Sequence, residues 1–264
     1  REEQNVKRTY ESAGPVLADV TLPAGRIRVT DCGTGQVTAE LEPLGPAAGK
    51  AEDVIASSEV SFDGRRLRID VPGKGLRKVE IACTVALPGG SSLEANTASA
   101  DVVSEIPLAG CTVTTASGDV ELGDVTGNLT VSAASGDVRA DRVDGSVDLK
   151  AASSDFRVSH LEGEARIRLA SGDVVIEESL ASVTARSASG DLLIGAALGG
   201  EITVDTASGD VVIGVAPGVG TELDVATVSG DARCTLGFEE QVGDATLRVR
   251  CRSMSGDVLI RGAS

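Results

Sequence analysis

The stretch Ser117-Gly118-Asp119-Val120-Glu121-Leu122-Gly123-Asp124-Val125-Thr126-Gly127-Asn128-Leu129-Thr130-Val131-Ser132-Ala133-Ala134 runs straight into a second copy of its own design. That copy reads Ser135-Gly136-Asp137-Val138-Arg139-Ala140-Asp141-Arg142-Val143-Asp144-Gly145-Ser146-Val147-Asp148-Leu149-Lys150-Ala151-Ala152. Aspartates at the third place recur at Asp101, Asp119, Asp137, Asp155, Asp173 and Asp191, five successive steps of 18 residues. The series continues at Asp210, Asp231 and Asp257 with steps of 19, 21 and 26, as one repeated unit does when insertions enter late in the array.

Laid over one another, the units place apolar residues at fixed positions. Val120, Val138, Phe156 and Val174 hold the fourth place; Leu122, Ala140, Val158 and Ile176 hold the sixth. After a turn at Gly127, Gly145 and Gly163, the thirteenth (Leu129, Val147, Ala165, Val183) and fifteenth (Val131, Leu149, Ile167, Ala185) are apolar again, with polar residues between. Such alternation with period two reads as a strand with one face buried. Each unit is therefore a strand, a turn near Gly, a second strand and a tight Ser-Gly-Asp corner. One such unit cannot shield its own apolar face, so it must stack on its neighbours at about 4.8 Å. The expected fold is all-β, a single-stranded β-helix or β-solenoid of about 18-residue rungs. A barrel or sandwich of hairpins fits less well, because near-identical corners at a constant interval imply that each unit meets the same surroundings.

Residues 1–80 lack the repeat and read as an N-terminal β-rich capping segment, with 81–264 as the repeat domain. Within the first segment, residues 16–22, 26–30, 36–41, 59–62 and 67–71 read as strands, Asp63-Gly64 as a hairpin turn and 47–57 as a short helix. Residues 81–87 and 92–98 are expected to form a first, degenerate rung. At the other end, Ser255-Gly256-Asp257-Val258-Leu259-Ile260 stops after half a turn, and the exposed edge is expected there, to be covered by the insert at 237–244 or by another subunit.

Composition excludes several functions. Forty acidic against 24 basic residues give a net charge of −16, which repels phosphate backbones and anionic lipid surfaces, so no nucleic-acid partner is expected. With no Trp, one Tyr and three Phe, the chain lacks stacking platforms for bases and sugars. No stretch approaches the roughly 20 apolar residues that cross a bilayer as a helix, so direct membrane insertion is not expected. The chain begins at Arg1 without a Met, which is compatible with a removed leader.

Catalytic constellations are equally thin. His160 is the single histidine and takes an outward place, leaving no Ser-His-Asp triad and no histidine metal cluster. The five cysteines contain no CxxC pair; Cys83, Cys111, Cys234 and Cys251 fall on core positions and only Cys32 looks like a loop residue, which suits buried thiols in a reducing cytoplasm. The aspartate column invites a calcium reading, but calcium-binding β-rolls use a nine-residue Gly-rich unit, so each Asp is expected to accept backbone hydrogen bonds at its own corner. Lys150, Arg168 and Arg186 form an outward basic ladder, read as balancing nearby carboxylates. No cofactor and no catalytic or metal residues are expected. The candidate interaction loops are the two late insertions, represented by Val215, Pro217 and Val219 and by Phe238, Glu239, Glu240 and Gln241.

The Ser-Gly-Asp-Val repeats, from Ser117-Gly118-Asp119-Val120 to Ser255-Gly256-Asp257-Val258, together with the opening Asp19-Val20-Thr21-Leu22-Pro23-Ala24-Gly25, resemble the bacterial β-strand-repeat family of putative adhesins of unknown function, also called the toastrack domain. The resemblance implies a β-helix-like fold and a non-enzymatic role, with members tied to envelope-stress systems or named adhesins. The expected function is a scaffold for protein–protein interaction, self-associating through a solenoid end; a secreted or surface adhesin is the first alternative and a β-helical carbohydrate-active enzyme the second.

Overall fold

The computed structural model describes residues 6–33, 35–45, 48–73, 79–236 and 246–263. Apart from one helix and its turns it is β-structure, and it divides into two compact units, residues 1–137 and 138–264. The alternating apolar residues do form parallel strands stacked in a solenoid.

In the first unit the strands are β1 (Val6–Glu11), β2 (Leu17–Asp31), β3 (Gln36–Leu44), β4 (Glu59–Phe62), β5 (Arg66–Asp70), β6 (Glu80–Leu87), β7 (Ser92–Ser104), β8 (Gly110–Ser117), β9 (Val120–Val125) and β10 (Leu129–Ser135), with helix α1 (Ala48–Ala56) between β3 and β4. β8 pairs in parallel with β10 and with β7, and β7 with β9, each register shift being one 18-residue unit. β4 and β5 form the hairpin expected at Asp63-Gly64. There Asp63 Oδ1 accepts from the amides of Arg65 (2.9 Å) and Arg66 (2.7 Å), which holds its carboxyl below the usual range.

The coil also reaches into residues without the repeat. β2 pairs in parallel with β7 along its whole length, Leu17 with Ser92 through Val29 with Ser104. Its other flank takes β5 (Leu17 with Arg66) and β6 (Gly25 with Ile81). Residues 17–31 are thus a full rung with β5 and β6 on one flank and β7 on the other. The degenerate rung expected from 81–87 with 92–98 does not exist: these two segments sit on opposite flanks of β2. β3 adds antiparallel to β6, and β1 to β3. Tyr10 and Phe62 meet in a tilted contact at 5.4 Å between ring centroids, so two of the chain's four aromatic residues lie in this segment.

In the second unit the strands are β11 (Val138–Val143), β12 (Val147–Ser153), β13 (Phe156–Leu161), β14 (Ala165–Ser171), β15 (Val174–Ser179), β16 (Val183–Ser189), β17 (Leu192–Ala197), β18 (Gly200–Ser208), β19 (Val211–Val215), β20 (Thr221–Ser229), β21 (Ala232–Thr235), β22 (Leu247–Ser255) and β23 (Val258–Gly262). One face stacks β12, β14, β16 and β18; the other stacks β11, β13, β15, β17 and β19. Their inward residues are buried, Leu149, Ile167, Ile176, Ile194 and Ile213 to 0–1 % exposure, and merge into one aliphatic column.

Beyond β18 and β19 the order in space departs from the order in sequence. β18 pairs with β22, and β22 in turn with β20; β19 pairs with β23, and β23 with β21. The rung 247–262 is intercalated between 200–215 and 221–235. The Ser255–Ile260 segment is therefore internal, with Val258 and Ile260 each 1 % exposed, and the outer rung is β20–β21. Among the described residues the edge that pairs with no further strand lies there rather than at the last repeat; the repeat register is identical in all three rungs, so the ladder alone does not fix their order.

Candidate functional site: the aspartate corners and the outer rung

Within each unit the corner aspartates line up as a hydrogen-bonded file, in which a carboxylate accepts from the amide of the next corner. In the first unit, the Asp119 amide donates to Asp101 Oδ1 (3.2 Å) and the Asp137 amide to Asp119 Oδ1 (2.9 Å). In the second unit, the amides of Asp173, Asp191, Asp210, Asp257 and Asp231 donate in turn to Oδ1 of Asp155, Asp173, Asp191, Asp210 and Asp257, at 2.8–2.9 Å. The bonds expected at each aspartate's own corner are thus replaced by bonds between rungs. The corner backbone approaches so closely that a side chain must be absent: a Cβ on Gly209 would lie 2.1 Å from the Gly190 carbonyl oxygen, and its φ of +128° already favours glycine.

These contacts make the aspartates acceptors committed to amides. Among the described residues no group of three or more His, Cys, Asp or Glu side chains has the geometry of a metal site. His160 is exposed with Nδ1 3.1 Å from Glu178 Oε2, an outward pair on neighbouring strands.

Lys150, Arg168 and Arg186 do stand in register. Lys150 meets Asp148 at 3.6 Å and Arg186 meets Asp205 at 3.3 Å, so carboxylates on the same face balance the ladder at two of its three positions. Such exposed pairs contribute little each.

The cysteines divide by rung. Cys83, Cys111 and Cys251 are buried, and burial pushes each thiol up to about 12, with Asp205 adding to the effect at Cys251. Cys32 is half-buried and raised by burial and by Asp31. Cys234, expected in the core, is exposed. It does share a face with Ile260, its register partner, but no described rung lies beyond it.

Of the candidate interaction loops, Val215 is buried at the end of β19, whereas Pro217 is exposed in a turn. The Ala216 amide donates to the Ala197 carbonyl (3.0 Å) and the Val219 amide to the Ala216 carbonyl (3.3 Å). This short segment carries the chain past the intercalated rung. Phe238, Glu239, Glu240 and Gln241 lie outside the described residues.

The outer rung is where apolar surface and open edge coincide. Leu223, on the inward face of β20, is 36 % exposed, and Val228 on the same strand is 84 % exposed; Met254, on the neighbouring β22, is 64 % exposed. The register twin Val249, one rung inward, is fully buried. Sequence periodicity marked Cys234 as a core position; what it lacked was the rung order that exposes it.

The chain is similar, at low sequence identity, to several solved structures. A "putative adhesin" from Bacteroides fragilis NCTC 9343 is 16 % identical, with a TM-score of 0.41, over 98 % of this chain and 97 % of that one. A "putative adhesin" from Parabacteroides distasonis ATCC 8503 is 12 % identical, with a TM-score of 0.42, over 98 % of each. A "putative lipid binding protein" from the same organism is 12 % identical, with a TM-score of 0.37, over 97 % of this chain and 96 % of that one. No curated protein matches the sequence. The Toastrack DUF4097 profile matches residues 49–261, a span holding every Ser-Gly-Asp corner and both late insertions, and the chain accordingly belongs to the Toastrack DUF4097 family.

Proposed function

We infer that this chain is a non-enzymatic β-solenoid scaffold for protein–protein interaction, and that it self-associates through the outer rung. The observation carrying this reading is the edge of β20–β21. Each strand is hydrogen-bonded on one flank only among the described residues, and Leu223 and Cys234 on the core-facing side are exposed. An open parallel edge with an uncovered apolar face accepts another strand of matching register. A second copy of the same rung offers one, the two edge strands running antiparallel about the two-fold axis of an isologous dimer. Five unpaired thiols, three of them in the apolar core, support a reducing compartment as the site of action. A link to envelope stress is carried by family membership alone.

The test is size-exclusion chromatography with light scattering over a wide concentration range. The wild-type mass should rise with concentration, and Leu223→Lys should hold the protein at one chain. A wild type that stays monomeric throughout would overturn the self-association.

A further inference from the structure

The intercalated rung points to a second interaction site, one that needs no free edge. Three basic residues, Arg248, Arg250 and Arg252, alternate along β22. The strands on its flanks are acidic: Glu201 and Asp205 on β18, Glu222 and Asp224 on β20. Arg248 meets Glu222 at 2.9 Å, and Arg250 reaches both flanks, Glu201 at 3.3 Å and Asp224 at 3.4 Å. Were the rungs stacked in sequence order, Glu201 and Glu222 would fall directly opposite each other, since both are register partners of Arg248. Like charges at that spacing repel. The charges therefore select a basic strand for the slot between two acidic ones.

Geometry reinforces the choice. Both flanks of the slot present ladder groups: Leu247 pairs with Gly200 on one side and Thr221 on the other, and Ser255 with Ser208 and Ser229. The occupant brings Leu247, Val249, Cys251, Val258 and Ile260, all 0–1 % exposed once in place. At the corner, Gly256 is wedged between Gly209 and Gly230: a Cβ on it would lie 2.2 Å from the Gly209 oxygen, and one on Gly230 would lie 2.2 Å from the Gly256 oxygen. The slot recognises an apolar strand with arginine at alternate places and a Gly-Asp corner.

We propose that the slot between β18–β19 and β20–β21 is a strand-acceptor site that takes residues 247–262 of a second copy of this chain, producing a reciprocally exchanged dimer. Every ladder contact that residues 247–262 make in the closed form is remade in the exchanged one, so the balance between the two is set by concentration. The closed form should dominate when dilute. Exchange follows when the slot is emptied at high concentration or when a chain's own segment no longer suits its slot.

The test uses two full-length variants. One carries Arg248→Glu and Arg250→Glu, so its slot stays acidic but its segment is acidic too. The other carries Glu201→Arg, Glu222→Arg and Asp224→Arg, so its slot and its segment are both basic. Neither segment suits its own slot, and each suits the other's. Native mass spectrometry of the mixture should show a 1:1 pair at least tenfold more abundant than homodimers in either sample alone. Two variants that both give β-type circular dichroism yet do not pair overturn the proposal.

A second measurement avoids any dependence on variant folding. Light and 15N-labelled wild type are unfolded together and refolded at up to about 1 mM, the effective concentration a short linker sets. A dimer of hybrid mass is expected, and it should persist when both populations carry Leu223→Lys. Absence of the hybrid overturns strand exchange. A hybrid that is lost in Leu223→Lys also overturns it, and assigns the dimer to edge docking.

Discussion

The amide of Asp257 donates to Oδ1 of Asp210 across 2.8 Å, although a whole rung, 221–235, separates the two residues in sequence. This bond marks the place where the chain returns to fill a gap it had left, and the surrounding ladder makes it testable.

Removing an internal acceptor leaves the next amide bonded to water at best. Asp191→Ala, which deprives the Asp210 amide, should cost about 1 kcal/mol in urea-induced unfolding, while Asp191→Asn keeps an acceptor and should cost less. Among the described residues Asp231 takes no amide from a further rung, so Asp231→Ala should fall near the surface average, within about 0.5 kcal/mol.

The close approach at the corners predicts a contrast between glycines. Gly209→Ala must strain a φ of +128° and drive its Cβ into the Gly190 carbonyl, a loss of about 3 kcal/mol or more measured as a lowered denaturation midpoint. Gly123→Ala meets nothing within 4 Å and has no positive φ, so it should be neutral.

Rung order can be read from truncations. Val249→Ala empties a fully buried position and should cost about 2 kcal/mol. Leu223→Ala, its register neighbour on the outer rung, should cost less than about 1 kcal/mol despite removing more atoms. A stack in sequence order reverses this ranking, and thermal unfolding of the two variants decides between them.

The buried thiols make stability fall at high pH. Their ionisation lies near 9 in the unfolded chain and near 12 in the folded one for Cys83, Cys111 and Cys251. Between those values the folded state holds protons that the unfolded state has released, so stability declines as pH rises from about 9 to about 12, each thiol contributing on the order of 1.4 kcal/mol per pH unit. Cys83→Ala should have a shallower decline than wild type in denaturation series across that window. At pH 8 a thiol reagent should label Cys234 first and the three buried residues only on unfolding.

The repeat made the fold legible, because Val120, Val138 and Val174 and their alternating partners leave few other ways to bury a face. The N-terminal rung was harder to see. At its corner Gly25 occupies the place of Ala100, and Arg26 that of Asp101, so the Ser-Gly-Asp signature is missing although the tight approach is kept: a Cβ on Gly25 would lie 2.0 Å from the Ile81 oxygen. The intercalation left no trace in periodicity, for Ser208, Ser229 and Ser255 are equivalent positions in any order. Its one mark in the sequence is electrostatic, the arginines of 248–252 set against the carboxylates of 201–205 and 222–224. As for the site, the corner aspartates stood out by spacing, whereas the exposed Leu223 and Cys234 follow from the rung order alone.

Intercalation also changes how the coil answers to mechanical load. A rung at the rim of a solenoid can be peeled from its neighbour one bond at a time, like tape. β22 and β23 are gripped along both flanks, so tension transmitted through Gly262 must drag them lengthwise past two sets of bonds together, and the segment behaves as a tenon in a mortise.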